Sequence, residues 1–456
     1  MTARITFCGG AGTVTGANFL LDTNSSKILV DCGILQREYL HGDRCDTANF
    51  APFPYDPSSI SALIVTHAHA DHIGRIPRLV HSGFKGAIYS TPATKDLAAL
   101  MFDDALKVMG QDAERKGCEM LYEKEDAEKS LSLWQTHEYH KPFSLGDAQV
   151  EFFDAGHILG SALVHIRRSE KTIIFTGDIG NSPEPILNDV ESPEGAQYVV
   201  MESVYGDRLH EARDERRERL RLCIEDTRTR KGTLLIPSFS IERTQILLYE
   251  MNTMIEEGIM KPITVYLDAP LAIEVTGVFR KYKEILNPAS REHFESGHDP
   301  FSFKSLTLTA HTGESQAIHK SPSPKIVIAG AGMSSGGRIR SHEKYYLGDK
   351  HATVLFVGYQ APGSLGRRIQ DGEKRVEIDG EHIRVYARIA TLTGYSGHAD
   401  RDQLLDFVDK AGTSLKRVFV TMGEPQASLF FAQRVRDFLG VDAVVPHASE
   451  TIEIDW

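Results

Sequence analysis

Short runs of apolar residues recur along about the first 200 residues of the chain, and each run is bounded by Gly, Asp or Asn. Such runs are typical of β-strands, and they include RITFCGG, KILVDCG, ALIVTHAH, SALVHIR and KTIIFTGD. Few helical patterns interrupt them, the clearest being at residues 75–81 and 92–109. The pattern therefore predicts two mostly β layers with helices on the outside.

The pattern changes after Tyr205. A charge-rich stretch at 207–232 predicts a long helix, and apolar runs then alternate with helical patterns, as in TLLIPSF, PITVYLD, KIVIAGAGM and TVLFVGY. This alternation indicates parallel βα units. Short alternating strands return from about Gln370. The simplest interpretation is an α/β domain inserted into another domain.

Composition limits the class of protein. At roughly 150 residues per domain, a chain of 456 residues holds two or three domains. Hydrophobic residues make up 41% and charged residues 25%, which fits a folded protein rather than a disordered or fibrous one. The formal charge of −12 argues against nucleic-acid binding through a broad basic face, because such binding neutralises phosphates with Lys and Arg. A buried metal site or a narrow basic groove remains compatible with this charge.

The cysteines and the apolar segments indicate the cellular compartment in which the protein is expected. The cysteines are scattered and lack a CxxC spacing, which argues against a disulfide framework and against a thiolate zinc site. No segment approaches the ~20 apolar residues that cross a bilayer, and the N-terminus lacks a leader pattern. We therefore expect a cytoplasmic protein without a membrane partner. The cysteines are Cys8, Cys32, Cys45, Cys118 and Cys223.

The sharpest chemical signal is a cluster directly after the apolar run at 60–66. His67, His69, Asp71 and His72 place four metal-capable side chains within six positions. Alternate positions of an extended segment put His67 and His69 on one side, and the turn into a helix brings Asp71 and His72 to a second point. A single histidine of this kind is more often a core residue. Four at this spacing predict a metal site.

Three further candidates, Asp31, His157 and Asp178, stand at predicted strand ends close to glycine. Each alone is also ordinary turn chemistry. Together with the cluster they complete a two-metal set, in which Asp178 lies between the metals and Asp31 orients a histidine ring from outside. The first metal is expected to bind the imidazoles of His67, His69 and His157. The second is expected to bind Asp71 and His72.

Several motifs resemble those of a known family. HAHADH and the opening GGAGTVTGANFLL resemble the metallo-β-lactamase fold, while MESVYGDRLH, LLIPSFSIERTQILLY, AGAGMSSGGRIRSHEKYYL and GYSGHADRDQLL resemble its β-CASP branch of RNA-processing nucleases. The resemblance runs from about residue 4 to about 430. It implies an α/β fold, with a metallo-β-lactamase αββα sandwich from 1–207 and 369–456 and an inserted β-CASP domain at 208–368. The active site would lie in the cleft between these domains.

The resemblance also implies a catalytic pair. Glu202 matches the first β-CASP motif, although the family usually has Thr where this chain has Val204, and His398 matches the second. A carboxylate neighbour favours the imidazolium form, so His398 with Glu202 is the candidate general acid for the leaving oxygen. The nucleophile would be a hydroxide bridging two metals, because zinc lowers the pKa of bound water to about 7. Asp31 and Asp178 complete the catalytic set.

The third motif departs from the family. Met422 stands where the RNA-processing members have a histidine that binds the second metal. A thioether is a soft, neutral donor suited to Cu(I) rather than Zn²⁺. We therefore expect two Zn²⁺ sites, of which the second is weaker or differs in metal preference. Asp71, His72 and Asp178 still leave three ligands there.

The glycine-rich loop at 330–338 follows a predicted strand, so its backbone N–H groups and serines are candidates for a phosphate cradle. Taken alone, such a loop is also compatible with a tight turn. The resemblance adds Ser238 and Arg243, for which packing within the inserted domain is the alternative. It also adds His342, which would either contact substrate or support a residue that does. The expected substrate-binding residues are Ser238, Arg243, Ser334, Ser335, Arg338 and His342.

The leading hypothesis is a metal-dependent ribonuclease that hydrolyses phosphodiester bonds of single-stranded RNA. Two alternatives stay open at this point. The substitution at Met422 also fits a hydrolase of DNA or small phosphoesters, or a non-catalytic scaffold that binds RNA. The sequence does not distinguish endonuclease from 5′-to-3′ exonuclease action. A homodimer is kept as a hypothesis.

Overall fold

The computed structural model of the protein describes residues 2–36, 47–211, 213–361 and 363–456. The chain divides into two compact units. The first consists of the residues up to Leu209 together with His398–Trp456, and the second of His210–Gly397. The predicted insertion of one domain in another is therefore confirmed.

The first sheet of the first unit combines both ends of the chain. Its strands are β1 (Thr2–Gly9), β2 (Asn18–Asp22), β3 (Lys27–Val30), β4 (Ala62–Ile64), β5 (Ala87–Ser90), β6 (Trp134–Thr136) and β22 (Thr451–Asp455). Their order is β22-β1-β2-β3-β4-β5-β6. The pairs from β22 to β3 are antiparallel, and those from β3 to β6 are parallel. The carboxyl ends of β3 and β4 therefore meet at one edge of the sheet.

The second sheet supplies the other strand ends of the site. Its strands are β7 (Phe143–Leu145), β8 (Ala148–Asp154), β9 (Ala162–Arg168), β10 (Lys171–Phe175), β11 (Tyr198–Met201), β20 (Arg417–Val420) and β21 (Asp442–Val444). Their order is β21-β20-β11-β10-β9-β8-β7. Because β9 is antiparallel to both β8 and β10, the carboxyl ends of β8 and β10 point the same way. The ends of β11 and β20 join them, since both strands run parallel to β10.

An apolar layer lies between the two sheets. It contains Phe7 and Phe19 from the first sheet and Phe152, Phe175 and Phe419 from the second, all buried. A second apolar cluster covers the other face of the second sheet with residues of its flanking helices. The predicted αββα arrangement follows from these layers. The helices of the unit are α1 (Ala70–Ile73), α2 (Ile76–His81), α3 (Pro92–Lys116), α4 (Lys124–Ser132), α12 (Arg401–Asp409) and α13 (Pro425–Arg434).

The longest helix of the first unit, α3, has sequence-encoded ends. The Thr91 side chain accepts a hydrogen bond from the Thr94 N–H, and Pro92 occupies the first helical position, where the missing N–H costs nothing. Gly117 ends the helix in the left-handed conformation, with φ at +72°, as is common at this position. The predicted helix is confirmed and extends further, to 116.

The second unit is a parallel β/α structure, as the alternating pattern predicted. Its strands are β12 (Thr233–Pro237), β13 (Thr264–Asp268), β14 (Leu306–Leu308), β15 (Lys325–Ala329), β16 (Thr353–Phe356), β17 (Arg375–Ile378), β18 (Glu381–Arg384) and β19 (Arg388–Thr391). The main sheet has all-parallel pairs in the order β14-β13-β15-β12-β16-β19, and β17 and β18 form a separate hairpin. The helices are α5 (Arg213–Thr229), α6 (Arg243–Glu256), α7 (Pro270–Lys281), α8 (Pro288–Glu295), α9 (Thr312–Ile318), α10 (Ile339–Tyr346) and α11 (Leu365–Gln370).

The end of the inserted unit differs from the predicted boundary. The sequence placed 369–456 in the first domain, whereas the structure keeps residues up to Gly397 in the inserted unit. Two contacts account for this: β19 pairs with β16, and Val376 and Ile378 of the hairpin are buried in the inserted unit's apolar core.

The cysteine prediction also needs a correction. Cys118 is disulfide-bonded, whereas the scattered spacing argued against a disulfide framework. Cys8, Cys32 and Cys223 are free thiols, and Cys45 lies outside the described residues. Within the described parts of the chain, no helix is long and apolar enough to cross a membrane.

Candidate metal centre

The site of the first unit is built from loops that follow β3, β4, β8, β10 and β11. The cluster after β4 begins in extended backbone, and His69 is the residue before α1, with φ at −69° and ψ at 148°. The extended segment directs His67 and His69 towards the same point. The first turn of α1 then places Asp71 and His72 beside it. The local structure is the one that the spacing predicted.

Three imidazoles converge with one carboxylate. His67 Nε2 lies 3.1 Å from His69 Nδ1, and His157 Nε2 lies 3.2 Å from the same atom. Asp178 Oδ2 lies 3.3 Å from His67 Nε2 and 3.4 Å from His157 Nε2. These four atoms lie within 4.8 Å of one another, as ligands of one ion do. The structure thus brings together the residues predicted for the first metal.

The residues predicted for the second metal lie beside the first group. His72 Nε2 is 3.3 Å from Asp178 Oδ1 and 4.0 Å from Asp71 Oδ2. The two oxygens of Asp178 therefore face different histidines, His67 on one side and His72 on the other. His72 Nε2 and Asp178 Oδ1 are buried, and neither forms a hydrogen bond within the described part of the chain. The two atoms face each other at 3.3 Å, and a cation between them would satisfy both.

Asp31 supports the cluster from behind, at the end of β3. Its carboxylate is fully buried and lies 2.8 Å from His72 Nδ1. It also accepts hydrogen bonds from the backbone N–H and the hydroxyl of Thr66, both at 2.8 Å. This position outside the cluster is the one that the sequence predicted.

The electrostatics of the cluster suit a metal. Burial lowers the pKa of His69 and of His157 well below the usual value, and burial together with the charge of His72 lowers that of His67. Burial alone raises the pKa of Asp178, but the neighbouring histidines outweigh it and hold this pKa well below its usual range. Neutral imidazoles at His67, His69 and His157 beside an ionised Asp178 are the protonation states that binding at the first metal site requires.

At the second site, burial lowers the pKa of His72, but the charges of Asp178 and Asp31 outweigh burial and raise it well above the usual value, and burial raises the pKa of Asp71. A cation bound there would therefore displace protons. The donor set of nitrogen and oxygen atoms fits zinc.

Glu202 and His398 form a pair next to this cluster. His398 Nδ1 lies 3.1 and 3.2 Å from the two oxygens of Glu202 and 4.0 Å from Asp178 Oδ2. Glu202 also accepts the N–H groups of Ile179, at 2.7 Å, and of Val204, at 3.3 Å. Burial lowers the pKa of His398, but the carboxylates of Glu202 and Asp178 outweigh burial and raise it to about 9. The Val204 contact to Glu202 comes from its backbone N–H. It therefore does not need the threonine side chain that the family usually has at this position.

Met422 follows β20, and its side chain packs in the apolar layer between the sheets. Its N–H donates to the Gly10 carbonyl at 2.7 Å, and a Cβ atom at Gly10 would lie 2.6 Å from the Met422 sulfur. The loop of Gly10 is also held by the Ala17 N–H, which donates to the Asp71 carbonyl at 2.9 Å. The φ of Met422 is +44°, a left-handed conformation in which His is enriched among non-glycine residues.

The expected substrate-binding residues lie in the second unit, and three of them are committed to other contacts. Ser334 is buried and its hydroxyl donates to Glu343 at 2.5 Å. Arg338 donates to Asp268 Oδ1 at 2.6 Å and to two backbone carbonyls. His342 Nε2 lies 2.7 Å from Asp268 Oδ2. The side chains of Ser334 and Arg338 thus hold the loop in place, and phosphate binding by this loop stays a prediction.

The other three expected substrate residues differ in exposure. Ser335 is exposed, while Ser238 and Arg243 are buried. Ser238 Oγ accepts a hydrogen bond from Thr244 at 3.0 Å, so it packs within the inserted unit. Sequence reasoning missed Asp268, which binds both Arg338 and His342. Its position at the end of the predicted strand in YLDAPLA was the available signal.

The fold and the cluster together define a metallo-hydrolase with an α/β domain inserted into a β sandwich. Three family models match this chain: the metallo-beta-lactamase superfamily at residues 11–238, the Beta-Casp domain at 244–369, and the Zn-dependent metallo-hydrolase RNA specificity domain at 382–446. The chain belongs to the β-CASP family of the metallo-β-lactamase superfamily.

Individual relatives agree with this assignment. The chain is similar to ribonuclease TTHA0252 of Thermus thermophilus, with 37% identity over 93% of this chain and 94% of the relative. It is also similar to transcription termination factor FttA of Methanosarcina mazei, at 31% identity, and of Pyrococcus horikoshii, at 33%, in both cases over 99% of this chain and 71% of the relative. A solved structure of a protein of unknown function from Enterococcus faecalis has the same fold, with a TM-score of 0.58, 12% identity and full coverage of both chains.

Proposed function

We propose that the protein is a zinc-dependent ribonuclease that hydrolyses phosphodiester bonds of single-stranded RNA in the cytoplasm. The observation that carries the proposal is the convergence of three imidazoles on one oxygen of Asp178, with a fourth histidine on its other oxygen. The similarity to ribonuclease TTHA0252 over nearly the whole chain supports RNA as the substrate. The convergence of the predicted ligands favours an enzyme over a non-catalytic scaffold.

The metal ligands are assigned as follows. Asp178 would offer one carboxylate oxygen to each zinc ion, and Met422 stands where a histidine ligand of the second ion is expected. When bound, zinc supplies a nucleophile at neutral pH and stabilises the charge that develops at phosphorus. The first ion would be held by His67, His69 and His157. The second would be held by Asp71 and His72.

The role of His398 follows from its hydrogen bond. Its Nδ1 faces the carboxylate of Glu202, which is fully buried and holds the ring in place. The proton on Nε2 is then the one that can reach a departing oxygen, as general acid catalysis requires. Glu202 orients the ring and favours its charged form. The ring of His398 lies 4.7 Å from that of His157, so the acid stands beside the first metal site.

The test is a cleavage assay with three substrates. Labelled single-stranded RNA, single-stranded DNA of the same sequence and a chromogenic phosphodiester are incubated with and without a chelator. RNA should be cleaved fastest, the chelator should stop cleavage, and added zinc should restore it. RNA labelled internally or at its 5′ end will distinguish endonuclease from exonuclease action, and the mass in solution will test the expected homodimer.

A matched pair of variants provides the control. Asp178→Asn removes the carboxylate shared by both metals and should abolish cleavage. Asp103→Asn makes the same chemical change on α3, where the side chain is exposed, and should leave cleavage unchanged. Equal activity on DNA, or cleavage that persists in Asp178→Asn, would contradict the proposal.

A further inference from the structure

The hydroxyl of Thr66 lies between the supporting carboxylate and a proposed zinc ligand. Thr66 Oγ1 is 2.8 Å from Asp31 Oδ2 and 3.0 Å from His67 Nδ1. All three side chains are buried, with at most 1% exposure. The backbone N–H of Thr66 also donates to the other oxygen of Asp31, at 2.8 Å. Thr66 is therefore held on two sides by Asp31.

The positions of the protons follow from this geometry. A threonine hydroxyl has one proton to donate, and an ionised carboxylate only accepts. The hydroxyl proton must point at Asp31, because otherwise two oxygens 2.8 Å apart would face each other with no proton between them. The hydroxyl oxygen is then an acceptor towards His67, so the proton of the neutral His67 ring is on Nδ1. Its Nε2 lone pair is left for a metal.

The same carboxylate acts on the second histidine directly. His72 Nδ1 is 2.8 Å from Asp31 Oδ2, which likewise places a proton on Nδ1 and directs Nε2 away. The Nε2 atoms of His67 and His72 each lie 3.3 Å from a different oxygen of Asp178. Each of these histidines belongs to a different proposed metal site, and Asp31 touches only one of them.

The surrounding backbone fixes the hydroxyl in this position. Gly177 precedes Asp178, and a Cβ atom there would lie 2.6 Å from Thr66 Oγ1 and 3.1 Å from Thr66 Cγ2. The Asp178 loop therefore packs directly on Thr66. Rotation of the hydroxyl away from Asp31 and His67 would break both of its hydrogen bonds.

We infer that Thr66 is a positioning residue whose hydroxyl extends the action of Asp31 from His72 to His67, so that one buried carboxylate orients a histidine in each metal site. This inference rests on the proposed function, because it takes His67 and His72 as zinc ligands. Removal of an outer-shell partner of this kind typically lowers metal affinity by roughly 10- to 100-fold.

The first measurement is zinc affinity of the full chain, by competition with a chromogenic zinc chelator. Thr66→Val should weaken binding at the site of His67 by about 10- to 100-fold, while Thr66→Ser, which keeps the hydroxyl, should remain close to the wild type. Thr227→Val is the control, since the Thr227 hydroxyl is also buried but donates to a helix carbonyl at 2.9 Å. In an Asp31→Asn background, Thr66→Val should lower zinc affinity by a smaller factor than it does in the wild type, because Thr66 and Asp31 act as one unit.

The second measurement is the tautomer of His67 in the metal-free protein, by NMR of the ring nitrogens. The wild type and Thr66→Ser should carry the proton on Nδ1, and Thr66→Val should shift the ring towards a mixture. Unchanged zinc affinity in Thr66→Val, an equal loss in Thr66→Ser, or a wild-type proton on Nε2 would each overturn the inference. If the wild type bound no zinc, the proposed function would fail, and the tautomer would still decide the role of Thr66.

Discussion

Gly177 lies where the loop that carries Asp178 approaches Thr66, two residues after the end of β4. A Cβ atom at this position would lie 2.6 Å from Thr66 Oγ1 and 2.7 Å from Thr66 Cβ. The φ of Gly177 is +55°, in the left-handed region that L-residues adopt at a cost. We predict that Gly177→Ala lowers both the stability of the protein and its affinity for zinc.

The size of the effect can be worked from two contributions. The left-handed backbone costs an alanine roughly 1–2 kcal/mol, and overpacking a buried site costs about 1–3 kcal/mol. The free energy of unfolding should therefore fall by about 2–5 kcal/mol. Thr66 Cβ would have to move by about 0.7 Å to restore an ordinary contact, although Asp31 holds Thr66 in place. A displacement of about 1 Å near reacting groups costs on the order of 10²-fold in rate.

Gly195→Ala separates the two contributions. Gly195 also has a positive φ, +81°, but no atom lies within 4 Å of its Cβ position, so the variant carries only the backbone cost. Urea unfolding in the presence of a chelator measures stability, and chelator competition measures zinc affinity. The reasoning is refuted if Gly177→Ala is as stable as Gly195→Ala and binds zinc equally well.

Three further predictions follow from the site and its surroundings. His398→Ala should lower kcat by roughly 10²- to 10⁴-fold with little change in KM, and Glu202→Gln should cause a smaller loss; loss of zinc from His398→Ala would instead make this residue a ligand. Met422→His should raise zinc affinity at the second site, because an imidazole is a better zinc ligand than a thioether; an unchanged zinc titration would show that this side chain does not reach the metal. Burial raises the pKa of Glu343 from 4.5 to about 8, so the folded protein binds this proton more tightly and stability should fall as the pH rises from about 4.5 to about 8. Glu343→Gln should remove that part of the slope in urea unfolding at pH 5 and pH 8, and equal slopes in the two proteins would count against a buried, titrating Glu343.

The proposed metal cluster was predictable because its information is local. His67, His69, Asp71 and His72 lie within six positions, so the backbone alone brings them close, whatever the rest of the chain does. The remaining partners, His157 and Asp178, could be found because each follows a predicted strand close to glycine. The resemblance to a known family then supplied the pairing of distant motifs that spacing cannot give.

Contacts between distant segments were not predictable in the same way. The pattern at 375–391 indicates strands, but nothing in it says that β19 pairs with β16, so the sequence could not show that these residues pack with the inserted unit. The glycine-rich loop was recognised from the sequence, but its hydrogen-bond partners were not. Arg338 donates to Asp268 and Ser334 donates to Glu343. Only the fold brings these two acceptors to the loop. A donor can be recognised from sequence, while its partner depends on packing.

The proposed zinc ligands belong to both sheets of the first unit, which joins the site to the core. His67 and His72 follow β4 of the first sheet, whereas His157 and Asp178 follow β8 and β10 of the second. The distances between the ligands are therefore set by the apolar layer that separates the sheets. Because protein interiors are close-packed and transmit strain, the core fixes the ligand geometry before any ion binds. An ion bound across the two sheets adds its binding free energy to their packing, so the site and the core stabilise each other.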